Sequence, residues 1–166
     1  KFSQSKSELN NRFNSKIKKN LRNKKIIFSA ISTHAGEELF CGKVHTNLKK
    51  KYNNIITIIV PRHINRANEI KDELKSNDLK VHLHTSNRPI NKNTDIYLVD
   101  TFGETKSFLK FSKIAFMGKS IFANGGQNPL EAARLGNRII HGPNIENFEE
   151  VYGFLKKHGI STQIKS

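Results

Sequence analysis

Five short stretches of this 166-residue chain concentrate the residue types that bind or transform ligands. They are Ser32-Thr33-His34-Ala35-Gly36-Glu37-Glu38, Pro61-Arg62-His63, Asp100-Thr101-Phe102-Gly103-Glu104, Gly125-Gly126-Gln127-Asn128-Pro129-Leu130-Glu131 and His141-Gly142-Pro143-Asn144. Arg62 can stack on a base or pair with a phosphate, or serve as an ordinary surface charge. Asn128, Pro129 and Glu131 have the form of a helix start, with Asn at the cap, Pro at the first position and an acid after it. Gly125-Gly126 just before them would let the backbone pass close to a ligand. A helix N-terminus beyond would offer unpaired N–H groups to a phosphate, and Glu131 could accept hydrogen bonds from a ribose. Gly103-Glu104 repeats the idea at another strand end.

The same residues exclude several chemistries. There is no Ser/His/Asp triad, no paired-carboxylate site and no activated thiol. Neither G-x-G-x-x-G nor G-x-x-x-x-G-K-[ST] occurs; Gly118-Lys119-Ser120 lacks the upstream glycine of a phosphate loop. His34, His63 and His141 match no metal-ligand spacing, so no metal or other cofactor is expected. Glu37 and Glu38 are adjacent, point to different helix faces, and read as first-turn acids that complement a helix dipole. Cys41 reads as buried packing, and His82 and His84, on one face of a short strand, as structural.

These stretches need a scaffold, and the remaining sequence describes one. Short β-branched runs at Lys25–Ser32, Asn54–Pro61, Lys80–Thr85, Asp95–Thr101, Lys113–Gly118 and Arg138–Pro143 read as strands. They lack a sustained polar face, as expected of parallel strands covered on both sides. Helical patterns occupy Gly36–Tyr52, Asn65–Asn77, Glu104–Ser112, Asn128–Leu135 and Ile145–His158, with Gly136 and Gly159 as C-caps. A further amphipathic helix, Ser7–Leu21, places Leu9, Phe13, Ile17 and Leu21 four residues apart. The segment between Lys80 and Asp95 leaves no room for a helix. Alternating strands and helices predict an α/β, Rossmann-like open parallel sheet with helices on both faces. All five stretches then fall at the carboxyl edge of that sheet, where open α/β folds bind ligands.

Composition bounds the rest. The single cysteine excludes an internal disulfide framework and a Cys-based zinc site. The longest apolar run, Ile55–Val60, is far below the roughly 20 residues of a membrane-spanning helix. The chain does not begin with Met, as expected of a piece of a longer protein. A formal charge of +15 invites a nucleic-acid reading. However, residues 1–25 carry +8, residues 156–166 carry +3, and residues 26–155 only +4. The excess avoids the five stretches, which argues against nucleic acid as the partner.

The five ordered stretches, followed by Gly142-Pro143-Asn144-Ile145-Glu146-Asn147-Phe148, resemble the C-terminal half of 3-deoxy-D-manno-octulosonic acid (Kdo) transferases, from about Lys1 to Ile160. The resemblance implies an inverting glycosyltransferase of two facing Rossmann-like domains, the GT-B architecture. The C-terminal domain binds the donor CMP-Kdo. The N-terminal domain binds a lipid A precursor and supplies the catalytic carboxylate. Residues 1–24 would be a basic helix at the interdomain junction and residues 25–166 the donor domain, with the acceptor domain and the catalytic residues outside this chain.

By motif, the resemblance places CMP against Pro61, Arg62, Phe102, Gly103, Glu104, Asn128, Pro129, Leu130 and Glu131. Ser32, Thr33, His34, Gly125, Gly126 and Gln127 would line the same cleft near sugar and phosphate. No metal or cofactor is implied. The whole enzyme would work at the cytoplasmic face of the bacterial inner membrane, its basic flanks near anionic lipid. Three departures stand out: Gln127 replaces the usual histidine, Pro61-Arg62-His63-Ile64-Asn65-Arg66 lacks a proline and an acid, and Lys119 stands where glycine is common.

Overall fold

The computed structural model describes residues 26–165, together with Ser15, Ile17, Lys18, Lys19, Leu21 and Lys24. In chain order the elements are β1 (Ile26–Thr33), α1 (Glu37–Lys49), β2 (Ile55–Pro61), a 3-10 turn (Ile64–Arg66), α2 (Ala67–Ser76), β3 (Val81–Leu83), β4 (Ile96–Leu98) and α3 (Thr105–Leu109). Then come β5 (Ile114–Met117), α4 (Leu130–Arg134), β6 (Arg138–His141), a second 3-10 turn (Glu146–Phe148), α5 (Glu149–Lys157) and β7 (Ser161–Gln163).

The seven strands form one sheet in the order β3-β4-β2-β1-β5-β6-β7. Every pairing is parallel. Chain progress runs outward one way from β1 to β2 and the other way from β5 to β7. The topological switch point, where such sheets take ligands, therefore lies between β1 and β5. The β1–β2 register is regular from Ile26↔Ile55 to Ile31↔Val60 and then skips Ser32, so that Thr33 faces Pro61. Ser32 makes this possible with a φ of 55°.

Strand side chains alternate between two cores. One face carries Ile31, Ile56, Ile58, Tyr97, Met117 and Ile139 under α3, α4, α5 and the helical residues Ile17 and Leu21. The other carries Ala30, Ile59, Ile96, Leu98 and Phe116 under α1 and α2. β2 is buried along its whole length, which is why its sequence shows no polar face. Of the Ser7–Leu21 helix, Leu9 and Phe13 lie outside the described residues, while Ile17 and Leu21 are buried as their spacing predicts.

Within residues 26–165 the predicted strands and helices are present, trimmed by a few residues at their ends. Strand β7 was not anticipated; two of its three residues are exposed and polar, so no hydrophobic run announces it. Gly136 and Gly159 close helices as expected. Each is left-handed, and the amides of Gly136 and Asn137 donate to Ala133 and Ala132, those of Gly159 and Ile160 to Lys156 and Leu155.

The hydroxyl of Thr57, the one polar group in the β2 run, is not free. It lies 2.9 Å from His45 Nδ1, and His45 Nε2 is 3.3 Å from Asp95 Oδ1. Asp95 also binds the Lys49 ammonium and accepts the Lys80 N–H at 2.9 Å. Burial raises the Asp95 carboxyl, but Lys49, the Lys80 amide and His45 outweigh it and hold it below 3.8. Burial likewise pushes the imidazoles of His45, His84 and His141 below the ordinary 6.5.

A pH dependence follows. On unfolding, each buried neutral histidine regains its ordinary proton affinity, so the unfolded chain binds more protons below about pH 6.5. Their stabilisation is complete above that pH and is lost as pH falls toward the folded values. Urea unfolding at pH 8, 7, 6 and 5 should show stability declining below pH 7, by up to ~1.4 kcal/mol per pH unit for each histidine. A flat profile from pH 8 to 5 would contradict this.

Candidate functional site

The site begins with two acids at the start of α1. Glu37 and Glu38 are both fully buried, so their role is larger than the dipole complement expected from sequence. Glu37 Oε2 accepts the backbone N–H groups of His34 at 2.9 Å and Lys119 at 2.8 Å. Its Oε1 accepts those of Ser120 at 2.9 Å and Ile121 at 3.1 Å. One carboxylate therefore fastens the loop after β1 to the loop after β5, across the switch point. The strand ends are correspondingly tight. A Cβ on Gly118 would lie 2.3 Å from the Ser32 carbonyl oxygen, and one on Gly142 would lie 2.1 Å from that of Ser120.

Glu38 works in the opposite direction. Its Oε1 accepts the Thr33 hydroxyl at 3.0 Å and Arg66 Nη1 at 3.1 Å, tying the β1 loop to the turn after β2. The Arg62 amide donates to the Thr33 carbonyl at 3.0 Å, and the rings of His34 and His63 meet edge-on at 5.6 Å. Ser32, Thr33 and His34 thus sit beside Pro61 and Arg62. Arg66 is consumed in this support, whereas the Arg62 side chain is exposed, and among the described residues no ion pair engages it.

The glycine-rich loop is held by later elements. Gly125 and Gly126 have φ values of 103° and 73°. Their amides donate inward, to Glu146 Oε2 at 2.7 Å and to the Lys119 carbonyl at 3.0 Å. Asn144 Nδ2 donates to the carbonyls of Ile121 and Ala123, and the Tyr152 hydroxyl to that of Gln127 at 2.9 Å. A Cβ on Gly125 would approach Asn147 Nδ2 to 2.7 Å. The glycines therefore allow loop closure against the segment after β6, and their N–H groups are already bonded. The helix begins one residue later than expected, with Pro129 rather than Asn128 at the cap position and no side-chain cap bond; Asn128 Oδ1, just ahead of it, accepts the Leu130 amide at 3.0 Å. Pro129 is buried, Leu130 is half-buried, and Glu131 is exposed.

The loop after β4 supplies the remaining wall. Asp100 accepts the Thr85 amide at 3.0 Å. Glu104 accepts the Thr101 hydroxyl and lies 2.9 Å from His84 Nε2. Phe102 is 77% exposed, an unusual place for a large apolar ring, and Gly103 beside it has a φ of 83°. Helices α3 and α4, which follow Glu104 and Asn128–Pro129, touch one another, so these two loops are neighbours.

His141 does not join the other strand-end histidines. It is buried, its Nδ1 lies 2.7 Å from the Gly142 carbonyl, and its ring packs on Tyr152 at 4.3 Å. Among the described residues no group of three His, Cys, Asp or Glu side chains could hold a metal ion. Cys41 is buried and its thiol is pushed up by burial, with Glu37 and Glu38 adding to the effect. The supporting roles of Glu37, Glu146, Tyr152 and His84 were not legible in sequence, because each partner lies on another strand's loop.

No protein-family model matches the chain. It is 37% identical over 129 residues to the 3-deoxy-D-manno-octulosonic acid transferase of Haemophilus influenzae, which covers 78% of this chain and 30% of that protein. It is 34% identical over 166 residues to the protein of that name from Rickettsia conorii, 100% of this chain and 35% of that one. The fold matches the crystal structure of the C-terminal CMP-Kdo binding domain of WaaA from Acinetobacter baumannii. That match has a TM-score of 0.81 and 25% identity, over 92% of this chain and 82% of that one. The chain spans about a third of the length of these curated relatives.

Glu37→Gln tests the clamp. An amide has a single acceptor oxygen where the carboxylate has two, so buried N–H groups lose partners, at a cost of about 3 kcal/mol. Urea unfolding should register that loss, and the amides of Lys119, Ser120 and Ile121 should exchange with solvent faster. Unchanged stability and exchange would show that the carboxylate is dispensable.

Proposed function

We infer, from its membership of the 3-deoxy-D-manno-octulosonic acid transferase family, that the chain is the donor-binding domain of such an enzyme and holds CMP-Kdo at the carboxyl edge of its sheet. The observation that carries this reading is the convergence of the five motif loops on the switch point, in a fold that matches a CMP-Kdo binding domain at a TM-score of 0.81. Residues 25–166 are the donor domain, and residues 1–24 lead to an acceptor-binding domain outside this chain.

Within the crevice, each exposed or half-buried group has a role set by its chemistry. Arg62 pairs with the phosphate, Phe102 offers its ring to the nucleoside, and Glu104 and Glu131 accept hydrogen bonds from hydroxyl or amino groups. Pro61, Gly103, Asn128, Pro129 and Leu130 shape the surface against CMP. Ser32, Thr33, His34, Gly125, Gly126 and Gln127 line the sugar side. Gln127 can donate or accept a hydrogen bond there but cannot carry a proton.

The reaction is direct displacement. An acceptor hydroxyl oxygen forms a bond to the anomeric carbon as the carbon–oxygen bond to phosphate breaks. CMP departs with the electron pair, and the hydroxyl proton passes to a carboxylate of the other domain. Arg62 favours the departing phosphate because its charge is fixed before the reaction begins. The acceptor is a lipid A precursor, and the enzyme works at the cytoplasmic face of the inner membrane. The basic flanks suit a surface of anionic lipid, and among the described residues no helix is long and apolar enough to cross a membrane.

Calorimetric titration with CMP tests the donor site. The chain should bind CMP, and Arg62→Ala and Glu131→Ala should each weaken binding about tenfold, equivalent to ~1.4 kcal/mol. A folded chain with no affinity at millimolar CMP contradicts the reading. Equal, steeply salt-dependent affinity for any polynucleotide would point instead to a nucleic-acid binder.

A further inference from the structure

A buried relay of side chains stands behind the loop that follows β4. His84, just past the end of β3, is 5% exposed, and its ring is enclosed by Tyr97 at 5.6 Å and Phe108 at 5.1 Å. Its Nδ1 lies 2.6 Å from the Tyr97 hydroxyl, and its Nε2 lies 2.9 Å from Glu104 Oε2. Tyr97 is itself buried, and burial pushes its phenol well above 10.0, with Glu104 and Asp100 reinforcing the shift. The phenol therefore keeps its proton.

These contacts select one tautomer. A neutral imidazole has one N–H and one bare nitrogen. If Nδ1 carried the proton, bare Nε2 would face a carboxylate oxygen at 2.9 Å, two acceptors in contact. With the proton on Nε2, the Tyr97 O–H donates to Nδ1 and Nε2–H faces Glu104 Oε2 at 2.9 Å, an attractive contact in place of two acceptors although not a well-aligned hydrogen bond. Burial keeps the ring neutral despite the nearby Glu104 and Asp100, and His82 acts in the same direction as burial. The Thr101 hydroxyl also donates to Oε2. Both contacts thus fall on one oxygen of Glu104, and among the described residues none is made to Oε1.

We propose that His84 is a positioning residue for donor recognition: its Nε2–H anchors Glu104 by one carboxylate oxygen so that the other faces a hydroxyl or amino group of the nucleotide. The proposal rests on the donor-site reading above. It adds that Glu104 is fixed before ligand arrives by a chain from Tyr97 through His84, so that binding incurs little cost in ordering that side chain.

A double-mutant cycle on the full chain tests it, with CMP affinity measured calorimetrically. His84→Phe keeps a ring in the enclosure and removes the hydrogen bonds. It should weaken CMP about tenfold, as should Glu104→Ala, and the double variant should be no weaker than Glu104→Ala alone. His84→Gln, which retains an N–H donor, should recover most of the affinity. Comparing CMP with 2′-deoxy-CMP and UMP identifies the partner of Oε1: the analogue lacking that donor should be insensitive to Glu104→Ala. Nitrogen-15 spectra of the unmutated chain provide a readout independent of folding effects, and should show the His84 proton on Nε2. Additive losses in the double variant, or a proton on Nδ1, would overturn the proposal alone. No CMP binding by the wild-type chain would overturn the donor-site reading and this proposal together.

Discussion

One buried carboxylate sets the geometry of everything around the crevice. Glu37 stands at the point where the strand order switches direction, and its two oxygens accept four backbone N–H groups from two loops. An ionised group taken from water is costly unless its lone pairs are filled, and here they are filled by amides that would otherwise lack partners. The dependence is mutual: the loops' N–H groups fill the acid's oxygens, and the acid fixes the loops. Lys119 holds a left-handed φ of 58° within this clamp, a strained state for a side-chain-bearing residue, tolerated because its neighbours determine it.

A division of labour follows from that clamp. The backbone of the crevice is committed inward, with the Gly125 and Gly126 amides bonded to Glu146 and Lys119, and Arg66 spent on Glu38. In the proposed function, recognition falls to side chains that the scaffold holds but does not consume, chiefly the exposed Arg62, Phe102 and Glu131. Preorganised groups of this kind stabilise developing charge without rearranging at the moment of reaction. In the proposed reaction that charge is the phosphate of departing CMP.

The sequence was legible where structure is local or periodic. Runs such as Asn54–Pro61 announce parallel strands because both faces are buried, and Gly136 and Gly159 announce helix ends because their left-handed backbone favours glycine. The gathering of the motif loops at the carboxyl edge of the sheet was legible too, since each motif directly follows a strand. What was not legible is how the loops support one another. Glu37 lies 82 residues from Lys119 and pairs with it only because β1 and β5 are neighbours. Taken alone, an acid after Gly36 looks like a dipole complement. His45, 50 residues from Asp95, and His84, facing Glu104, are further cases in which strand order creates the pairing. Nor does local pattern show that the two glycines also serve closure of the loop, their amides bonded to Glu146 and Lys119.

The central claim, that the five loops together form the donor site, is tested most directly by titrating CMP-Kdo into nitrogen-15-labelled protein and following backbone amide shifts. The account predicts shifts concentrated at residues 32–34, 61–62, 102–104 and 125–131, at the carboxyl edge on both sides of the switch point. Shifts confined to other surfaces, such as the basic groove formed by Lys71, Lys75, Lys80 and Arg88 beside β3, would contradict it, as would their absence at saturating ligand.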